Sequence, residues 1–150
     1  VMSTIHTNNS IGTITRLEDM DIKPFLLSST IVGVIAQRLV RKICPNCIEN
    51  HETDQREMRL MNIDVPIEIK EGKGCSLCNG SGYKGRTAIF EVLEVTREIK
   101  NLIDMEATES EVEALAKEQG MLFLREACVE KVMQGVTTVD EMMRVTYGDV

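Results

Sequence analysis

The hydrophobic pattern divides the chain into short strands and helices. The β-branched, apolar run over residues 1–7 predicts a strand, and Asn9 or Ser10 then caps a helix. The apolar side chains of that helix recur at helical spacing, at Ile11, Ile14 and Leu17. Pro24 suits the first turn of a second helix, which we expect over residues 25–36 because that stretch is apolar on most sides.

The middle of the chain predicts short elements joined by turns. Residues 37–43 alternate between polar and apolar and predict a strand. We then expect a charged helix over 52–61, an extended piece over 63–69, a glycine turn over 82–86 and an apolar strand over 87–95. Glu91 and Glu94 interrupt the apolar pattern of that last strand.

The last third of the chain predicts helices. Thr96 caps a short helix to about Met105, and capping boxes begin at Thr108 and Thr138. Between them, residues 121–134 place three apolar side chains on one helical face, at Leu124, Cys128 and Val132. Glycines end two of these helices, at Gly120 and Gly135.

Two C-x-x-C pairs, Cys44 with Cys47 and Cys75 with Cys78, carry the most specific chemistry in the sequence. Two residues between cysteines let one tight turn aim both sulfurs at a single point. Two such turns supply the tetrahedral set of four thiolates that Zn²⁺ accepts at a structural site. The alternatives are two disulfides or a redox motif. The pairs are matched and no secretory signal is evident, so we favour zinc.

The metal would stabilise the segment between the cysteine pairs. This segment has too few large apolar residues to fold securely alone, and the free energy of metal binding would supply the deficit. Four thiolates leave no open coordination position, so the predicted zinc is structural and not catalytic. The fifth cysteine, Cys128, is expected in the core.

Charge and composition exclude several classes of function. The net charge is −7, and residues 86–150 carry seven basic and fourteen acidic side chains. A nucleic-acid partner needs clustered Lys and Arg, so we expect no nucleic-acid binding. No apolar run approaches the roughly 20 residues that span a bilayer, and we therefore expect no transmembrane segment.

His6 ends the predicted first strand within the polar cluster His6-Thr7-Asn8-Asn9. Side chains at such a position face the crevice beyond a sheet, which is a common place for a site in α/β proteins. A structural histidine at a strand end is the alternative.

Several short motifs, in one order along nearly the whole chain, together resemble the secretion ATPases of type II secretion and type IV pilus assembly. The motifs are Ser3-Thr4-Ile5-His6-Thr7-Asn8, Ile14-Thr15-Arg16-Leu17 with Asp19-Met20, Ala36-Gln37-Arg38-Leu39-Val40-Arg41, the two cysteine pairs, Gly82-Tyr83-Lys84-Gly85-Arg86-Thr87 with Phe90-Glu91, and Gly135-Val136-Thr137-Thr138 with Arg144-Val145-Thr146. The cysteine segment resembles the assembly branch of this family.

The resemblance implies an α/β fold with three parts and a catalytic role in the intact protein. The parts are the end of a RecA-like ATPase core (1–43), a tetracysteine zinc subdomain (44–85), and a strand with a C-terminal helical bundle (86–150). His6 maps onto the family's His box, near the γ-phosphate, and is the expected catalytic residue. Arg38 and Arg86 fall in motifs close to the nucleotide or a subunit interface.

The resemblance also implies the setting of the intact protein. We expect a cytoplasmic homohexamer, peripheral at the inner face of the cytoplasmic membrane, that uses ATP and Mg²⁺ to drive pilin or pseudopilin assembly with inner-membrane platform proteins. No G-x-x-x-x-G-K-[ST] stretch occurs in the sequence, so we expect an excerpt of a longer protein that is inactive alone. The alternative is a free-standing, zinc-stabilised interaction module without motor function.

Local sequence supports a functional Arg86. It follows a glycine turn tied to the second cysteine pair and is expected to open a strand, so its backbone is held on both sides. A long cationic side chain on so rigid a base is well placed to meet a phosphate or a carboxylate. The alternative is a surface ion pair with Glu91 or Glu94.

Overall fold

A computed structural model describes residues 1–147, in a mixed α/β arrangement. The elements in chain order are α1 (Ser10–Glu18), α2 (Pro24–Thr30), β1 (Gly33–Ile43), β2 (Ile48–Glu52), α3 (Gln55–Met61), β3 (Glu68–Gly72), a 3₁₀ turn (Ser76–Cys78), β4 (Tyr83–Glu94), α4 (Arg97–Asp104), α5 (Glu109–Glu118), α6 (Leu124–Met133) and α7 (Val139–Tyr147).

The chain forms two compact units, each built from two separate stretches. The first unit comprises Val1–Gln37 and Phe90–Phe123, and the second comprises Arg38–Ile89 and the chain from Leu124 onwards. The predicted division into 1–43, 44–85 and 86–150 is a division along the chain and stays a prediction.

The first unit has an aliphatic core. Side chains from α1, α2, α4, α5 and the end of β4 form one buried cluster: Ile11, Ile14, Leu27, Leu93, Val95, Ile99, Ile103, Val112 and Ala116. The helices begin where the sequence predicts. Asn9 caps α1 by accepting the backbone N–H of Gly12, Thr96 caps α4, and Thr108 with Glu111 forms the capping box of α5.

The second unit contains the β2–β3 pair and the parts of β1 and β4 over residues 38–43 and 83–89. β2 and β3 form an antiparallel ladder in which Ile48 lies opposite Gly72 and Glu52 opposite Glu68. β1 pairs with β4, and at this end the backbone N–H of Cys44 donates to the carbonyl of Gly82 at 2.9 Å. The cysteine pairs therefore lie at the ends of hydrogen-bonded strands.

Several predicted boundaries are wrong, and in three cases strand pairing overrides local preference. The second helix ends at Thr30, not Ala36, because the β-branched residues Ile31 and Val32 lead into β1. The charged helix begins at Gln55, since residues 48–52 pair with β3. The predicted turn at 82–86 is mostly strand, as β4 begins at Tyr83 and Arg86 lies within it.

The predicted strand at residues 1–7 is also wrong. A strand persists only where its backbone groups pair with a neighbour, and within residues 1–147 no strand pairs with this segment.

Only one of the two hydrogen bonds of the predicted capping box at Thr138 forms. Thr138 accepts the backbone N–H of Glu141 at 3.1 Å, but the Glu141 carboxylate binds two arginines.

Candidate metal centre

The four predicted cysteines lie together. Cys44 follows the last residue of β1, and Cys47 precedes β2. Cys75 precedes the 3₁₀ turn, and Cys78 is the last residue of that turn. Their sulfur atoms all lie within 4.8 Å of one another. Sequence positions about 30 residues apart thus meet at one point, so these side chains could hold a metal ion.

The sulfur spacing fits a tetrahedral ion. The Sγ atoms of Cys44 and Cys75 are 3.9 Å apart, as are those of Cys47 and Cys78, and those of Cys75 and Cys78 are 3.7 Å apart. A zinc ion with Zn–S bonds of about 2.3 Å places its four sulfurs on a tetrahedron whose edges are about 3.8 Å. The donor set therefore fits zinc in both type and spacing.

Hydrogen bonds to the sulfurs favour their thiolate forms. The backbone N–H groups of Gly74 and Gly82 donate to Cys47 Sγ and Cys78 Sγ at 3.3 and 3.2 Å. Asn46 Nδ2 donates to Cys75 Sγ at 3.3 Å. Donors of this kind orient the ligands of a metal and offset their negative charge.

The thiols of the cluster differ in pKa. A backbone hydrogen bond from Cys75 is the main cause that lowers the pKa of Cys78 to about 6, and the Asn46 side chain lowers the pKa of Cys75. Burial raises the pKa of Cys47 to about 12. Neighbouring thiolates repel one another unless a cation lies between them, so ligation of all four sulfurs requires a positive ion.

Two glycines allow the second cysteine turn to pack closely against β3. A Cβ built on Gly72 would collide with the carbonyl oxygen of Gly82, and a Cβ on Gly82 would collide with that of Gly72. Gly82 also adopts a φ of +78°, which side chains rarely tolerate. No other residue type fits both positions without moving backbone.

None of the five cysteines forms a disulfide. Cys128 is fully buried on α6, apart from the four-cysteine cluster, as expected of a core residue. Burial raises the pKa of its thiol to about 12, so it stays protonated.

Arg86 lines a cavity of about 410 Å³ in the second unit, which we call the arginine cavity. Its other lining residues are Leu39, Arg41 and Arg144. Arg86 is exposed, and within residues 1–147 it makes no ion pair with Glu91, Glu94 or any other acid. Glu91 instead accepts the backbone N–H and hydroxyl of Ser10, both at 2.7 Å.

The cavity shows what sequence reasoning missed. Arg38 lies half-buried on β1 but does not line the cavity, whereas Arg41 does. Arg41 and Arg144 each occurred within motifs already singled out, yet only the fold brings them beside Arg86. No pattern in the sequence marks them, because the acid that both arginines bind, Glu141, is 100 residues from Arg41 and meets it only in the fold.

His6 lies in a different place, in the first unit. It is exposed and lines an open cleft of about 430 Å³ together with Asn9, Arg16, Asp19 and Glu109, among others. Within the described part of the chain, His6 makes no hydrogen bond that would fix it as a structural histidine. Its position is compatible with contact to a ligand.

Among residues 1–147, no helix combines the length and apolarity that a membrane crossing requires.

The chain matches known proteins over nearly all its length. A family model described as type II/IV secretion system protein matches residues 1–144. The chain is 45% identical to the type II secretion system protein E of Pseudomonas aeruginosa and 44% identical to the type II secretion system ATPase E of Vibrio cholerae. Each match covers 97% of this chain and 29% of the relative.

A third relative comes from pilus assembly. The chain is 38% identical to the type IV pilus assembly ATPase PilB of Thermus thermophilus, over 97% of this chain and 17% of that protein. The chain thus spans less than a third of the length of these curated relatives. Because the family match covers residues 1–144, the chain belongs to the type II/IV secretion system protein family.

Proposed function

We propose that this chain is the C-terminal portion of a hexameric ATPase that powers type II secretion or type IV pilus assembly. The observation that carries the proposal is the family match over residues 1–144, together with relatives from both systems that are named as ATPases. In this proposal residues 1–43 complete a RecA-like core, and residues 86–150 add a strand and a helical bundle.

The zinc subdomain has a structural role in this proposal. Cys44, Cys47, Cys75 and Cys78 hold one Zn²⁺, whose four thiolate ligands leave no position for water or substrate. The ion fixes the two cysteine turns, and through the Cys44–Gly82 hydrogen bond it fixes the start of β4. It thereby sets the backbone from which Arg86 extends.

The nucleotide contacts are assigned to three residues. Bound ATP with Mg²⁺ supplies the phosphoryl group whose transfer releases the free energy. The chain's own groups supply positive charge and hydrogen-bond donors: the His6 imidazole near the γ-phosphate, and the Arg38 and Arg86 guanidinium groups near the nucleotide or a subunit boundary. Such groups stabilise the charge that shifts during phosphoryl transfer.

The chain alone should not hydrolyse ATP. Its 150 residues contain no glycine-rich phosphate cradle with its lysine and hydroxyl. In the intact protein we place this chain on the cytoplasmic side of the inner membrane, where platform proteins of the machine bind it. A free-standing zinc module is the less favoured alternative, since the relatives named as ATPases are at least three times longer than this chain.

The test uses the intact protein that contains this chain. Arg86→Ala should lower ATP turnover at least about tenfold, a barrier change of about 1.4 kcal/mol, with normal zinc content and melting temperature. His6→Ala should lower kcat more than it weakens nucleotide affinity. Arg97→Ala, at an exposed arginine on α4 outside the arginine cavity, is the matched control and should leave turnover unchanged.

Two results would contradict the proposal. Turnover by the 150-residue chain, surviving a mock-purification control, would show that the catalytic machinery lies within this chain. Normal turnover of both the His6 and Arg86 variants in the intact protein would remove these residues from the nucleotide site.

A further inference from the structure

Glu141, on α7 in the second unit, is a fully buried carboxylate that binds two arginines at once. Arg41 donates from its backbone N–H to Oε1 at 2.9 Å, and from Nε and Nη2 to Oε2 at 3.0 and 2.8 Å. Arg144 donates from Nε to Oε2 at 2.9 Å and from Nη2 to Oε1 at 2.6 Å. Five donors thus converge on one side chain.

These donors keep the buried carboxylate ionised. Burial alone would raise the pKa of Glu141, but the hydrogen bonds from Arg144 and Arg41 outweigh it and lower that pKa to about 2. A buried charge is costly unless it is paired and fully hydrogen-bonded. The two guanidinium groups supply both the pairing and the hydrogen bonds that Glu141 requires. The same hydrogen bonds fix the positions of the two guanidinium groups.

Arg41 is held from two further directions. Its guanidinium carbon lies 4.2 Å from the centre of the Tyr83 ring, and its backbone carbonyl accepts the hydroxyl of Thr137 at 2.8 Å. Tyr83 in turn shares a hydrogen bond of 2.5 Å with the Thr138 hydroxyl. The Arg41 side chain is therefore fixed before any ligand arrives, which lowers the entropic cost of binding.

Both arginines still reach solvent in the arginine cavity. The side chains of Arg41 and Arg144 are 40% and 55% exposed, whereas that of Glu141 is not exposed at all. Within residues 1–147, Arg86 adds a third guanidinium without an acid of its own.

We propose that Glu141 is a positioning residue, which orients Arg41 and Arg144 beside Arg86 so that the arginine cavity receives a phosphate group. This inference rests on the proposed function, in which Arg86 lies near a nucleotide, and adds Arg41, Arg144 and Glu141 to the site. Guanidinium forks match phosphate oxygens in geometry and in the sign of their charge.

The test is a titration of the zinc-loaded chain with inorganic phosphate at pH 8, where the phosphate is a dianion. The Nε–Hε signals of Arg41, Arg86 and Arg144 should shift together and saturate. Arg86→Ala should weaken the affinity about tenfold, as the loss of one charge-assisted contact implies. The matched control Glu130→Gln, on the exposed side of α6, should leave the affinity within about twofold of wild type.

The Glu141→Gln variant distinguishes a positioning role of Glu141 from an effect of net charge on phosphate binding. Removal of a negative charge would strengthen phosphate binding if net charge alone mattered. The positioning role predicts the opposite: affinity falls at least about threefold, because the neutral amide cannot hold both guanidinium groups. Phosphate binding as tight as wild type or tighter in Glu141→Gln would overturn the positioning role.

Glu141→Asp keeps the test decisive if the glutamine variant does not fold. It retains the charge but is one methylene shorter, so it cannot reach both arginines and should also weaken phosphate binding. Wild-type affinity in this variant would contradict the proposal, as would the absence of any saturable shift in the wild-type chain. Phosphate binding is measured without turnover, so its failure is distinguishable from a failure of the ATPase assignment.

Discussion

The first unit and the cysteine-bearing segment of the second unit are stabilised by different chemistry. In the first unit, nine buried residues from four helices, β4 and its C-terminal end form one continuous aliphatic cluster. In the second, the segment between β1 and β4 buries little besides Met61, Ile69 and two of the four clustered cysteines. The first unit can therefore fold on hydrophobic burial, whereas the segment between β1 and β4 needs the free energy of metal binding.

The largest expected effect is loss of the metal. Cys75→Ser should abolish zinc binding and unfold residues 44–85, because structural zinc contributes on the order of 10 kcal/mol to folding of a small site. Elemental analysis and circular dichroism measure the two effects. Cys128→Ala, at the cysteine outside the cluster, should keep about one zinc per chain. Full zinc content in Cys75→Ser would show that the ligands are misassigned.

A core truncation should destabilise the first unit instead. Ile99 is fully buried in its aliphatic cluster, so Ile99→Ala should lower the free energy of unfolding by about 2–5 kcal/mol. Zinc content should not change. Urea unfolding of the helices and release of zinc should be followed in the same titration, and the two transitions should occur at different urea concentrations. Release of zinc at the urea concentration at which the helices unfold would argue against this separation.

Loss of a helix cap should have a smaller effect, and its dependence on zinc should differ between units. Thr108 and Glu111 form the capping box of α5, and Asp54 and Glu57 form that of α3. Thr108→Ala should cost about 1 kcal/mol with or without zinc, whereas Asp54→Ala should cost a similar amount only when zinc is bound. Equal zinc dependence of the two variants, measured by thermal unfolding, would refute the distinction.

The smallest expected effect is a pH dependence in the second unit. His51 Nε2 lies 2.8 Å from Glu57 Oε2, and this hydrogen bond is the main cause that raises the pKa of His51. The stabilisation is complete below the unfolded pKa of about 6.5 and is lost as the pH rises through the higher folded pKa. Because the pair is partly exposed, we expect less than about 1 kcal/mol.

An NMR titration of the His51 ring checks this directly. Its midpoint should fall from the raised value towards about 6.5 in Glu57→Gln. An unchanged midpoint in that variant would show that Glu57 is not the cause.

Sequence patterns predicted those features that depend on neighbours along the chain. The caps at Asn9, Thr96 and Thr108 and the meeting of the two C-x-x-C pairs follow from local spacing, and the structure confirms them. The zinc itself, and the roles of His6, Arg38 and Arg86, stay predictions.

Features that depend on partners far apart along the chain could not be predicted from the sequence. β2 has the sequence Ile-Glu-Asn-His-Glu, which has little strand preference, and forms because β3 pairs with it. Glu141 was expected to complete a capping box, yet it is 100 residues from Arg41, the partner that uses its carboxylate. Only the fold shows that these charges meet.

Hydrogen exchange of the chain with and without zinc, resolved along the sequence, tests the central contrast most directly. Removal of zinc by a chelator should abolish amide protection in residues 44–85, where the cysteine turns and the β2–β3 ladder lie. Protection in α1, α4 and α5 should persist, because those helices pack on the aliphatic cluster. Unchanged protection at residues 44–85, or an equal loss in α4 and α5, would contradict the conclusion that the metal stabilises residues 44–85.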